Sequence, residues 1–370
     1  MGKKKIRMGV IGLGGISNSH IRGIKASPDA ELVAICDIKE DVLDEKGKSL
    51  NIPKENCFIR YKDLLNSNLV DAVSICTPNN VHVEIALAAL AKKIPFALEK
   101  PVGINDDEVK KLFLEASKQK HKHMICFSYR FKAAARYVRS IVKSGVIGDI
   151  HHVYAQYLQG YGTLPDRPLV WRNQIEIAGG GVDADLGCHI MDLVTFMTGL
   201  DYDTVCAQAG NITKKRKDPV TKKDKEVTTE DYCHVLTQFD SGATGVFAIS
   251  KFCIGRGNYQ RIELYGNKGV IVYSLEAKDT IEVCIGEPYT KNLAFSSLNI
   301  PAEFQSDQMQ SFFDIYNGCG DGLAANLADG FRAQQLITGV MESFETQKWQ
   351  KVAKRESSTG ARKERSSLKK

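Results

Sequence analysis

The sequence predicts a two-domain α/β chain, with an N-terminal doubly wound parallel sheet followed by a C-terminal α+β domain on a large, mainly antiparallel open sheet. Three observations carry this. Short apolar runs alternate with helical patterns through the first third, as a parallel sheet covered on both faces requires. A glycine turn, Gly12-Leu13-Gly14-Gly15-Ile16-Ser17, follows the first apolar run. From Ile147 onward strand follows strand with few intervening helices, the mark of antiparallel pairing. The expected boundaries are 1–128, 129–350 and a basic tail over 351–370.

Taken in order, Ile6–Ile11 reads as the first strand and runs into the glycine turn and a helix. The second strand, 31–36, closes on Asp37, and a helix follows over 39–50. The strand at 70–76 stops at Thr77-Pro78-Asn79, because Pro78 has no N–H to give a ladder. A helix at 83–92, a strand at 95–99 ending in Lys100-Pro101, a helix at 106–118 and a strand at 124–127 complete the first domain. In the second, a strand over 151–161 leads through a loop with Trp171-Arg172 and a glycine cluster to a helix over 182–197. Strands then fill 205–285, with 211–227 as an exposed hairpin loop, and helical patterns at 303–317 and 323–345 end the body.

Composition narrows the function. A chain of 370 residues with 43% hydrophobic and 25% charged residues has material for two packed cores. The net charge of +6 sits in 351–370, which carry eight Lys or Arg against two Glu, so the body is neutral and no nucleic-acid partner is expected. That tail is expected to be disordered. The basic start is followed by an apolar run broken by Gly9 and Gly12, which reads as a strand and not as a leader. No apolar run approaches the roughly 18 residues of a membrane span. The ten cysteines occur singly, without a Cys-x-x-Cys pair, so neither a metal site nor a disulfide framework is expected and a reducing cytoplasm is the natural home.

The glycine turn points to a dinucleotide. Gly12 permits the tight turn, and Gly14 lets the backbone approach a pyrophosphate; with Gly15 and Ile16 they bring the next helix's free N–H groups onto the phosphates. Asp37 is placed to accept from a ribose hydroxyl, which favours NAD because a carboxylate repels a 2′-phosphate; Lys39 softens that preference and leaves NADP possible. A second constellation lies at Asp185, His189 and Asp192, spaced i, i+4 and i+7 along one helical stripe. The same spacing also suits a polar stripe that merely faces water.

The combination of the glycine turn, Cys76-Thr77-Pro78-Asn79-x-x-His82, Glu99-Lys100-Pro101, Tyr129-Arg130-Phe131 and Gly180-Gly181-x-x-x-Asp185-x-Gly187-x-His189-x-x-Asp192 resembles the Gfo/Idh/MocA oxidoreductases over residues 6–350. Ser17 departs from the family, standing at a glycine or alanine position. The resemblance implies a Rossmann domain, NAD(P)-dependent chemistry on sugars or polyols, and a C-terminal sheet that joins copies into a homodimer or homotetramer. It implies Lys100, Asp185 and His189 as the catalytic groups.

The chemistry needs such a trio. Removing a hydride from a secondary alcohol also releases a proton, so a base with a pKa near the operating pH must meet the hydroxyl. His189 is assigned that role, with Asp185 and Lys100 holding the reacting oxygen. Thr77, Pro78, Asn79 and His82 are expected to border the cofactor, His82 equally well as a structural cap, and Glu99 to lie near the nicotinamide ribose. Arg130, Tyr157, Trp171 and Arg172 are candidates for the sugar pocket, with ordinary core the competing reading of Trp171. Two other readings stay open: a glycoside hydrolase that oxidises its sugar transiently with NAD, and a non-catalytic dinucleotide sensor.

Overall fold

The computed structural model describes residues 4–353, so most of the expected basic tail lies outside the described residues. The chain forms two compact units, one from 4–128 with 306–331 and the other from 129–305 with 332–353. The expected uninterrupted second domain is thus broken by a segment that returns to the first unit. The expected tail also starts too early, since Gln350 and Lys351 pair with a strand of the second unit.

The first unit is a six-stranded parallel sheet. Its strands are β1 (Ile6–Ile11), β2 (Ala30–Cys36), β3 (Cys57–Phe58), β4 (Ala72–Ile75), β5 (Phe96–Leu98) and β6 (His123–Ile125). They lie in the order β3-β2-β1-β4-β5-β6. Because both faces are covered by helices, the central strands are mostly apolar: Met8, Val10, Val73, Ile75, Ala97 and Leu98 are buried. Chain direction through the sheet reverses between β1 and β4, and in such sheets the crevice beyond the strands' carboxyl ends at that point receives a ligand. Gly12, Asp37, Thr77 and Lys100 follow the ends of β1, β2, β4 and β5.

The returning segment completes this unit. Its helix Gln308–Asn317 is tied down where Ser27 Oγ donates to Gln310 Oε1 at 2.7 Å and Gln310 Nε2 donates to Asp29 Oδ2 at 2.9 Å. Farther on, Ile125 N donates to Ala325 O at 2.9 Å, and Phe331 stacks on Phe113.

The second unit carries β7 (Ile150–Leu158), β8 (Tyr202–Gly210), β9 (Lys215–Lys217), β10 (Asp224–Glu226), β11 (Tyr232–Phe239), β12 (Thr244–Ser250), β13 (Tyr259–Gly266), β14 (Gly269–Ser274), β15 (Thr280–Ile285), β16 (Ser296–Asn299) and β17 (Gln350–Lys351). Nine of them form one sheet, β16-β15-β14-β13-β7-β12-β11-β8-β17, while β9 and β10 make the hairpin expected at 211–227. All neighbours in the large sheet are antiparallel except β7 and β12. One face is packed: Val153, Ala155 and Tyr157 of β7 point into it, and helices Ala133–Lys143 and Cys188–Thr198 pack on each other and against the sheet. The opposite face exposes Tyr154 (47%), Leu236 (49%) and Val246 (41%), which lie in register on neighbouring strands. The fold class is that expected from the sequence. No helix among the described residues is long and apolar enough to cross a membrane.

Candidate functional site

In the first unit the glycine turn is shaped for close approach. Gly12 has a φ of +87°, and a Cβ there would lie 2.8 Å from the Cys76 carbonyl and the Thr77 nitrogen, so only glycine fits between β1 and β4. Gly14 and Gly15 are different. A Cβ on either meets nothing within 4 Å, so the protein's own packing does not require glycine there. Among the described residues no acceptor takes the amides of Gly14, Gly15 or Ile16. An open cradle of unclaimed N–H groups at the start of helix Ser17–Ala26 fits a pyrophosphate. Ser17, at the departing position, is fully buried and donates from Oγ to Gly14 O at 2.6 Å, bracing the turn. Ile16 is 43% exposed at its edge.

Asp37 closes β2 and serves the same turn: Oδ2 accepts from Leu13 N at 2.7 Å and Oδ1 from Lys39 N at 3.0 Å. Each oxygen keeps a further lone pair for a ribose hydroxyl. Thr77 and Pro78 form the bend after β4, and Asn79 is buried at the start of the next turn. His82 is fully buried, its Nδ1 2.8 Å from Pro101 O and its Nε2 2.8 Å from Thr77 O. Burial pulls its pKa down while the two carbonyls pull it up. The ring lies between the ends of β4 and β5 with a carbonyl at each nitrogen, and its neutral form has one N–H to donate to one of them.

Glu99 does not stand alone either. Its Oε1 is 2.8 Å from Nε2 of His20, whose Nδ1 lies 3.0 Å from Ser74 Oγ. Burial disfavours the charged imidazole, but Cys76 and Glu99 overcome it and push the His20 pKa up to about 10. Cys126 completes a trio whose donor atoms lie within 4.8 Å of one another. Lys100 follows Glu99, partly exposed at the carboxyl end of β5, with its bond to Pro101 cis.

In the second unit, the helix expected over 182–197 is two pieces, a π turn at Asp183–Gly187 and an α-helix at Cys188–Thr198. The wider turn breaks the regular stripe read from the spacing of Asp185, His189 and Asp192. Asp185 is partly exposed, with Arg172 Nε 3.6 Å from Oδ1 and the Tyr161 hydroxyl donating to Oδ2 at 3.4 Å. The Arg172 guanidinium lies 4.3 Å above the Trp171 ring. His189 is buried against Tyr129, ring centres 4.9 Å apart, and Tyr157, 6.4 Å. The Tyr157 hydroxyl bonds that of Tyr129 at 2.6 Å, and burial pushes its pKa up.

Arg130 requires a correction. It was expected to bind substrate, but it is 5% exposed and grips Asp192 through two bonds, Nε to Oδ2 at 2.8 Å and Nη2 to Oδ1 at 2.5 Å. The third member of the expected stripe thus secures its helix to the segment after β6. Sequence reasoning missed Tyr161 and His20. For His20 a signal existed: it sits with Ile21 and Ile24 on the apolar face of helix Ser17–Ala26, where a histidine needs a buried partner.

Comparison with known proteins agrees with this architecture. Residues 6–127 match the family described as oxidoreductase family, NAD-binding Rossmann fold, and residues 135–272 match the GFO/IDH/MocA C-terminal domain. Myo-inositol 2-dehydrogenase of Thermotoga maritima is 32% identical over 270 residues, 72% of this chain and 74% of that protein. Levoglucosan dehydrogenase of Pseudarthrobacter phenanthrenivorans is 24% identical over 332 residues, 80% of this chain and 83% of that protein. Among solved structures, levoglucosan dehydrogenase in complex with NADH and levoglucosan superposes with a TM-score of 0.86 at 25% identity, covering 95% of this chain and 100% of that one. With both of its units matched, the chain belongs to the Gfo/Idh/MocA family of NAD-binding oxidoreductases, whose named members include sugar and polyol dehydrogenases.

Proposed function

We propose that the protein oxidises a secondary hydroxyl of a sugar, sugar derivative or cyclic polyol, with NAD held in the first unit and His189 as the general acid/base. NAD, when bound, supplies the hydride acceptor. The cradle of Gly12, Gly14, Gly15 and Ile16 would hold its pyrophosphate, Asp37 the adenosine ribose, and Thr77, Pro78 and Asn79 the adjoining edge. His189 takes the hydroxyl proton as the carbon gives up its hydride, and returns it in the reverse direction. Lys100 donates a hydrogen bond to the oxygen as its negative charge develops, and Asp185 accepts one from the resting hydroxyl. Trp171 and Arg172 border the sugar, with Tyr157 forming the wall behind the imidazole.

The observation that supports this reading most is the setting of the π turn. Asp185 keeps partial exposure between a guanidinium and a phenol, while His189, one turn on, is shielded among aromatic rings. A carboxylate open to a polar ligand beside a desolvated imidazole suits proton transfer from a hydroxyl. The test is a panel of polyols and aldoses scored by NADH fluorescence. In His189→Ala, NADH affinity is expected to persist while kcat falls about a hundred- to ten-thousand-fold. Near-normal turnover in that variant would remove His189 from the mechanism, and hydrolysis without net NADH would move the protein to the transient-oxidation reading.

We also propose that the open face of the nine-stranded sheet joins a second copy of the chain. Its in-register band of Leu236, Val246 and Tyr154 meets the charged pair Arg261 and Glu263 on β13, an apolar centre with a polar margin that suits a self-complementary contact. None of the ten cysteines is in a disulfide, which fits a reducing cytoplasm.

A further inference from the structure

We infer that Glu230 is a positioning residue, anchoring the entry of the helix that carries Asp185 and His189. The first amides of a helix have no partner inside it, and Val182, the residue before the π turn, makes no side-chain cap. A residue from a different segment takes their place. Glu230 Oε1 accepts from Gly181 N at 2.7 Å and Asp183 N at 3.0 Å, and Glu230 O accepts from Val182 N at 3.1 Å. Three consecutive amides thus end on one residue, just before β11.

The surroundings fix that residue in turn. Lys251 Nζ donates to Glu230 O at 3.1 Å and pairs with Asp231 at 2.9 Å, and Asp231 Oδ2 accepts from Ile212 N and Thr213 N at 2.8 Å each. A Cβ on Gly181 would sit 2.3 Å from Glu230 O, so the second glycine of Gly180-Gly181 is explained by the closeness of the anchor. Asp183 lies in the same buried cluster. Burial and the Glu230 charge push its carboxyl well above the usual range. Burial also raises Glu230, with the amides it accepts and the nearby Lys251 opposing that rise, so the carboxylate form is favoured by the bonds it makes at the start of the helix. Without Glu230 the π turn loses the bonds that set where Asp185 stands relative to His189.

The kinetic part of this inference rests on the dehydrogenase reading above; the exchange part does not. Glu230→Ala, Glu230→Asp and Glu230→Gln are compared with wild type for kcat, KM, NADH affinity and deuterium uptake across 179–190. The Ala and Asp variants, which lose or cannot span both amides, are expected to drop kcat about a hundred-fold with NADH affinity unchanged, as misplacement of reacting groups by about 1 Å does. They should also exchange faster over 179–190. Glu230→Gln, whose amide oxygen still accepts, should restore most of kcat and protection. Wild-type turnover or wild-type uptake in Glu230→Ala overturns the inference. If that variant does not fold, equal kcat in the Asp and Gln variants overturns it. If wild type yields NADH from no polyol, the function reading falls and the exchange comparison alone decides the anchor.

Discussion

The Arg130 and Asp192 side chains, about 5% exposed and doubly bonded, form a buried charged pair in the second unit. Removing one partner strands a buried charge, so Asp192→Ala is expected to lower unfolding free energy by about 3–5 kcal/mol. Urea denaturation measures it, and a change below about 1 kcal/mol would return Arg130 to the candidate ligands. A buried pair in the first unit, His20 with Glu99, is sensitive to pH. Burial opposes protonation of His20, but Cys76 and Glu99 raise its pKa from the ordinary 6.5 to about 10. A raised folded-state pKa means the contribution is whole below about 6.5 and is lost as pH climbs through about 10. The stability gap between wild type and His20→Gln should therefore shrink over that window; a gap constant with pH would show the ring to be neutral throughout. Neither pair was legible in the sequence. Arg130 lies 62 residues from Asp192, and His20 79 from Glu99, and nothing local distinguishes a guanidinium awaiting a ligand from one already bonded across such distances.

Elements with a clear period were legible, and their neighbours were not. The alternation in β7 and the apolar run of β1 fall where the pattern put them, within a residue or a few. Short pieces escaped: β3 has two residues and helix Tyr61–Asn66 six, too few to repeat any pattern. The π turn escaped for another reason, since reading at 3.6 residues per turn presumes the ladder it interrupts. The glycine turn, by contrast, was readable because its cause is local. Gly12→Ala places a methyl 2.8 Å from the Cys76 backbone at a positive φ, so the turn must open. NADH affinity is expected to fall at least about tenfold, more than 1.4 kcal/mol, by fluorescence titration; undiminished binding would mean that the turn does not hold the dinucleotide.

At the scale of the whole molecule, the exposed band on the nine-stranded sheet is the surface to test. Tyr154→Lys combined with Leu236→Lys buries charge in any contact made there, and is expected to convert the assembly to a single chain by light scattering. A wild type already monomeric at working concentration would refute the contact. The two-unit plan was legible from the change of grammar near Ile147, but the return of 306–331 was not, because a helical pattern carries no record of which sheet it covers.

That return reaches into biosynthesis. The bond from Ser27 to Gln310 spans 283 residues, and the nucleotide-binding half lacks a helix and a bridging segment until residues 306–331 have left the ribosome. The half translated first is thus the half completed late, its unfinished edge exposed while the nine-stranded sheet is being made.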